Sequence, residues 1–101
     1  MDVRAEFREK MPQIAEICRR YHVRELSLFG SALRDDFRPD SDYDLLVEFE
    51  PDARIGLFEY GELQEVLSTI LERKVDLVSK RGLKPLIRDQ VLSSAEPVYA
   101  A

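Results

Sequence analysis

The sequence predicts an α/β (α+β) domain, a mixed β-sheet with helices packed on it. Three observations predict it. Apolar residues recur at three- and four-residue steps in two segments, 2–21 and 57–73. Shorter apolar or alternating runs stand between and after them, at 23–29, 42–49 and 74–78. Glycine and proline punctuate the joints, at Gly30, Pro39, Pro51 and Gly82.

In chain order, the first helix is carried by Phe7, Met11, Ile14, Cys18 and Tyr21. Pro12 removes a backbone donor and disfavours helix at Met11, so this segment is expected to kink or restart with Pro12 in a first turn. Val23 to Phe29 follows as a strand with Leu26 and Leu28 on one face, stopping in a tight turn at Gly30. Residues 31–36 are expected to make one or two helical turns. Residues 37–41, with Pro39 and Asp40-Ser41, read as loop. Asp42 to Phe49 is the clearest strand, ended by Pro51.

The second long helix uses Phe58, Leu63, Val66, Leu67, Ile70 and Leu71 as its apolar set. Gly61 weakens it by roughly 1 kcal/mol relative to alanine, so its first turn is expected to fray. Lys74 to Val78 is a third strand, Lys80 to Gly82 a turn, and Pro85 to about Ser93 a last helix. Pro97-Val98-Tyr99 reads as a short edge strand, with proline confined to its start.

The 101 residues make a single domain, 1–101, long enough to fold without a staple. With 45% hydrophobic residues there is apolar material for one core but not for a separate substrate domain. Part of any substrate site is therefore left to a partner or a second copy. A net charge of −5 argues against binding duplex DNA through a broad basic surface. The basic residues between Arg73 and Arg88 read either as a solvated face or as a local cationic pocket. One cysteine, Cys18, cannot form an internal disulfide and reads as a small core residue. The start of the chain shows no apolar signal region, and no apolar run reaches membrane-spanning length. A cytoplasmic protein without membrane contact is expected.

The chemistry gathers around Asp42 and Asp44. Two apart in a strand, they project from the same face with Cα atoms about 6.6 Å apart. Carboxylates so placed can converge on one divalent ion or bracket two, and as hard oxygen donors they suit Mg²⁺ or Mn²⁺ with phosphate. Tyr43, Leu45 and Val47 then face the core. By itself an Asp-x-Asp also fits a solvated strand start, and Gly30-Ser31 an ordinary turn with a serine cap. Together they put backbone amides suited to phosphate beside a carboxylate pair, as a nucleoside triphosphate with its metal requires. Arg34 lies three residues beyond Ser31, placed either to neutralise phosphate or to pair with Asp35, Asp36 or Asp40. Asp76, alternating with Val75 and Leu77, faces solvent or a site. If its strand pairs with the second strand, Asp76 reaches the carboxylate pair and can act as a general base. His22, with no companion ligand, reads as a helix-end or surface residue. Tyr60 and Tyr99 read as half-buried aromatics with a wet hydroxyl, ahead of the alternative that they are exposed contacts for a partner.

The segment Leu28-Phe29-Gly30-Ser31-Ala32-Leu33-Arg34, followed by Ser41-Asp42-Tyr43-Asp44-Leu45-Leu46-Val47, resembles the minimal nucleotidyltransferase family of the DNA polymerase beta superfamily. The order of elements continues the likeness through Val75-Asp76-Leu77-Val78, so it covers nearly the whole chain. The resemblance implies the nucleotidyltransferase fold, with Gly30 and Ser31 as triphosphate contacts, and Asp42 and Asp44 as metal ligands. It makes Asp76 the third catalytic carboxylate and metal ligand. Many members have a glycine after the arginine where this chain has Asp35, which leaves Arg34 without a settled role. The family further implies Mg²⁺, ATP as substrate, and a HEPN-domain ribonuclease toxin as partner. Its members are similar to antitoxins that transfer AMP to a tyrosine hydroxyl of that toxin. Two other readings stand beside this one: an antitoxin that neutralises its partner by binding alone, and transfer to a small molecule.

Overall fold

The computed structural model describes residues 3–30 and 42–101. Ser31, Arg34, the expected short helix over 31–36 and the loop over 37–41 lie outside the described residues.

The first helical segment divides where proline demands it. Helix α1 spans Val3–Glu9 and helix α2 spans Met11–Arg20, with Pro12 in the first turn of α2, where a missing N–H costs nothing. Phe7, Ile14 and Cys18 are buried on one side of this pair. The chain leaves α2 through His22, exposed and in the left-handed region at φ 60°, which reverses the backbone into the sheet.

Strand β1 (Val23–Phe29) pairs antiparallel with β2 (Tyr43–Phe49). The β2 pattern is a clean pleat on its core side: Tyr43, Leu45 and Val47 are each fully buried against the helices. Leu46, on the other side, is buried too but outside that core cluster. Helix α3 (Leu57–Leu71) presents Leu63, Leu67 and Leu71 to the core at four-residue steps. Phe58, expected in that apolar set, is instead 78% exposed, and Leu57 beside it is 90% exposed. The first turn of α3 is helical despite Gly61, and it meets the sheet through Tyr60 while Leu57 and Phe58 face outward. At its far end α3 stops two residues short of the expected 73, because Glu72 takes a left-handed cap at φ 52°.

Strand β3 (Val75–Ser79) pairs parallel with β2, and β4 (Glu96–Ala100) pairs antiparallel with β1. The sheet order is β3-β2-β1-β4, which makes it mixed and puts the Pro97 strand at an edge as expected. The outer edge of β3 is held by α3. Val75 N–H donates to Ser68 Oγ (3.0 Å), Leu77 N–H donates to Gln64 Oε1 (2.9 Å), and the Tyr60 hydroxyl donates to the Leu77 carbonyl (2.6 Å). The Tyr60 hydroxyl is thus bonded to backbone where a wet one was expected. A 3-10 turn, Lys80–Gly82, leads to α4 (Pro85–Ser94). This helix buries none of its residues, and Leu86 is 97% exposed, so the expectation of helices packed on the sheet holds for α1 to α3 but not for α4.

Candidate active site

Three of the predicted acids lie on the ends of two neighbouring strands. Asp44 stands one residue inside β2, and the register pairs it with Phe29 of β1 on one side and Asp76 of β3 on the other. The third strand therefore pairs with the second, as the reach of Asp76 required. Adjacent paired strands lie about 4.8 Å apart, so Asp44 and Asp76 start from neighbouring Cα positions on the same sheet face. Asp42 precedes Asp44 by one pleat and shares that face. The opposite face carries Tyr43, Leu45, Val75 and Leu77, all buried, and that packing commits the acids to the outer side.

Gly30 closes the site from β1. Its φ is +78°, a conformation that glycine adopts without penalty, and its α-carbon faces the Asp44 carboxylate. A Cβ at this position would meet Asp44 Oδ2 at 2.3 Å. The dihedral favours glycine, and any larger residue would displace the Asp44 carboxylate. Ser31 and Arg34, the other predicted phosphate contacts, fall outside the described residues.

The electrostatics are those of accessible carboxylates. Asp42 is 45% exposed and meets Lys74 Nζ at 3.8 Å. Lys74 is expected from the sequence as the start of the third strand and part of a basic run; its position just before β3, level with Asp42 across the strands, is what pairs them. Tyr43, between the two acids, is pinned on the core side. Its hydroxyl donates to Glu6 Oε2 at 2.7 Å, its ring lies 5.1 Å from Phe7, and the Arg73 guanidinium sits 4.8 Å above it. Burial, then the Glu6 bond, push the Tyr43 phenol well above its ordinary 10.0. Burial also raises the Tyr60 phenol, and the negative charge of Asp76 adds to it.

As donors the three carboxylates fit a hard divalent cation, Mg²⁺ or Mn²⁺. They share a face and a strand end but do not yet form one coordination sphere: among the described residues no three His, Cys, Asp or Glu side chains are gathered closely enough to hold a metal. The basic residues beyond Lys74 are dispersed. Lys80 pairs with Glu48 at 3.2 Å near the far end of β2, and Arg81, Lys84 and Arg88 are exposed. A cleft of about 140 Å³ lined by Glu48, Phe49, Pro51, Ile55, Lys80 and Arg81 lies at that far end. It is smaller than the ~300–1,000 Å³ typical of small-molecule sites. Among the described residues no helix is long and apolar enough to cross a membrane.

Comparison with known proteins bears on the family and the fold. The sequence profile of the nucleotidyltransferase domain family matches residues 11–98. The protein adenylyltransferase MntA of Thermococcus cleftensis is 43% identical over 84 residues, covering 83% of this chain and 81% of that protein. A solved structure assigned provisionally as a minimal nucleotidyltransferase superimposes with a TM-score of 0.78 at 38% identity, covering 96% of both chains. The complex of a tri-AMPylated Shewanella oneidensis HEPN toxin with its MNT antitoxin matches with a TM-score of 0.68, covering 94% of this chain and 73% of that one. At 22% identity that last likeness speaks for the fold. From residue 11 to residue 98, through every strand that carries a candidate acid, the chain belongs to the nucleotidyltransferase domain family, and within it stands with the minimal nucleotidyltransferases.

Proposed function

We propose that this chain is a protein adenylyltransferase that acts as an antitoxin in the cytoplasm, transferring AMP from ATP to a hydroxyl, by resemblance a tyrosine, of a HEPN-domain toxin. The observation that carries the reading is the in-register pairing of Asp44 with Asp76, with Asp42 on the same face and Gly30 against Asp44. The kinship with MntA and the fold shared with an MNT antitoxin bound to an AMPylated HEPN toxin support it.

In this reading Asp42, Asp44 and Asp76 hold Mg²⁺, which when bound neutralises triphosphate charge and polarises the α-phosphate. The Gly30 turn lets the backbone approach the phosphates closely, and Ser31 and Arg34 follow as further triphosphate contacts. The acceptor oxygen attacks the α-phosphorus, the bond from that phosphorus to the bridging oxygen breaks, and pyrophosphate leaves with the electron pair. Asp76, on the more exposed strand, takes the acceptor proton. The small site leaves room for the acceptor to be supplied by another protein.

The test is to incubate the chain with Mg-ATP and a co-purifying HEPN toxin and weigh the toxin intact. Steps of one AMP are expected, absent with Asp42→Asn and Asp44→Asn. Equal mass gain with those variants, or none with the parent, overturns the reading.

A further inference from the structure

Asp76 sits on an edge strand, where a backbone ordinarily has the most freedom to shift. Here that freedom is removed from outside the sheet. The residues immediately before and after Asp76 are tied to α3 by three hydrogen bonds, from Val75 N–H to Ser68 Oγ, from Leu77 N–H to Gln64 Oε1, and from the Tyr60 hydroxyl to the Leu77 carbonyl. Tyr60, Gln64 and Ser68 are successive four-residue steps and form one row along the helix. Ser68 Oγ donates to the Gln64 carbonyl at 2.9 Å, which turns its lone pairs toward β3. On the inner side the parallel register holds Asp76 opposite Asp44.

A second row of the same helix, Leu63, Leu67 and Leu71, is buried in the core and already fixes α3 on the sheet. The polar row adds what apolar packing does not, a set height and rotation of β3. These bonds reach the backbone on either side of Asp76 and not its carboxylate, so they act on the site by fixing where the Asp76 Cα stands.

We propose that Tyr60, Gln64 and Ser68 are positioning residues, a ladder from α3 that sets Asp76 against Asp44 and so sets the affinity of the site for its divalent cation. The proposal rests on the reading of Asp76 as a metal-binding carboxylate. Gln64 is the informative member. Tyr60 also packs near Phe49, with ring centres 6.2 Å apart, and Ser68 also bonds within its own helix, whereas the bond from Leu77 N–H engages the Gln64 side chain across to the strand.

The experiment measures Mn²⁺ binding by the full chain in the presence of AMP-PNP, alongside the melting temperature. Gln64→Leu, which removes the accepting oxygen from the backbone beside Asp76, is expected to weaken Mn²⁺ binding by up to about tenfold, the lower end of what losing a direct partner of a metal ligand costs. Gln64→Glu, which keeps that oxygen, is expected to restore binding to within about twofold of the parent. Should Gln64→Leu not fold, Ser68→Ala deletes the neighbouring rung and is read the same way, with a loss of more than about threefold expected. Unchanged Mn²⁺ affinity in a folded rung variant, beside weakened binding in Asp76→Asn, overturns the ladder and leaves the site reading standing. Unchanged Mn²⁺ affinity in Asp76→Asn overturns the site reading and the ladder with it.

Discussion

Gly30 lies so close against Asp44 that the carboxylate must move for any other residue to fit: a Cβ added there would come within 2.3 Å of its oxygen Oδ2. The clashing atom is the end of a side chain, which can swing aside, and not backbone, which cannot. Gly30→Ala is therefore expected to disturb the acid more than the fold. The left-handed dihedral costs alanine about 1–2 kcal/mol, a fall of roughly 5–10 °C in melting temperature for a domain of this size. Transfer activity is expected to fall by about a hundredfold, the scale set by misplacing a reacting group by about an ångström. Calorimetry and a nucleotidyl-transfer assay on the same sample separate the two effects.

In the proposed reading, Lys74 stands where it would compete with the cation for Asp42. The pair is exposed, with Lys74 78% accessible, so its loss is expected to cost less than about 1 kcal/mol of stability. Removing the competitor frees the carboxylate. Lys74→Ala is expected to leave the melting temperature nearly unchanged and to tighten divalent-cation binding by up to about fivefold, the equivalent of ~1 kcal/mol for an exposed pair at this distance. Isothermal titration with Mg²⁺ and Mn²⁺ checks it; weaker binding would mean that Lys74 helps the site.

Tyr43 anchors the acids from behind. Tyr43→Phe keeps the ring against Phe7 and loses the bond to Glu6, at an expected cost of about 1–3 kcal/mol for a hydrogen bond to a charged acceptor. Tyr43→Ala empties a fully buried position and is expected to cost about 3–5 kcal/mol. Urea unfolding of the three proteins measures both steps.

Cys18 makes the fold sensitive to alkali. Burial pushes its thiol from 9.0 up to about 12, against a small opposing effect of Arg19. A raised pKa means that the folded state holds the proton more tightly than the unfolded chain. The contribution to stability is full below about pH 9 and is lost as pH rises from 9 toward 12. Cys18→Ala is expected to flatten the fall in melting temperature from about pH 9 upward, leaving a fall that begins nearer pH 10 and belongs to Tyr21, Tyr43 and Tyr60, whose phenols are also raised. Thiol reagents are expected to react with Cys18 only on unfolding, since it is fully buried.

Much of this was legible before any coordinates. Pro12 announced the break between α1 and α2, because a missing N–H has few places to go. The alternation Tyr43-Asp44-Leu45 announced which side the acids face, because a strand has only two faces. The third strand was misplaced by one residue, from 74–78 to Val75–Ser79, a boundary that composition does not mark. Phe58 and Leu86 were illegible for a different reason: spacing shows that apolar residues share a helix face, not whether that face reaches the sheet. The role of Gln64 and Ser68 was hidden because polar residues on a helix look solvated until the strand beside them is known. Their one signal was a polar row at four-residue steps beside the leucine row.

That polar row has a consequence for the company the protein can keep. A sheet edge with unclaimed amides and carbonyls invites a foreign strand to join it. On the side where the acids sit, the groups such a strand would grip, the Val75 and Leu77 amides and the Leu77 carbonyl, are already taken. The acid-bearing end can therefore stay open without the β3 edge becoming a seed for sheet-to-sheet aggregation.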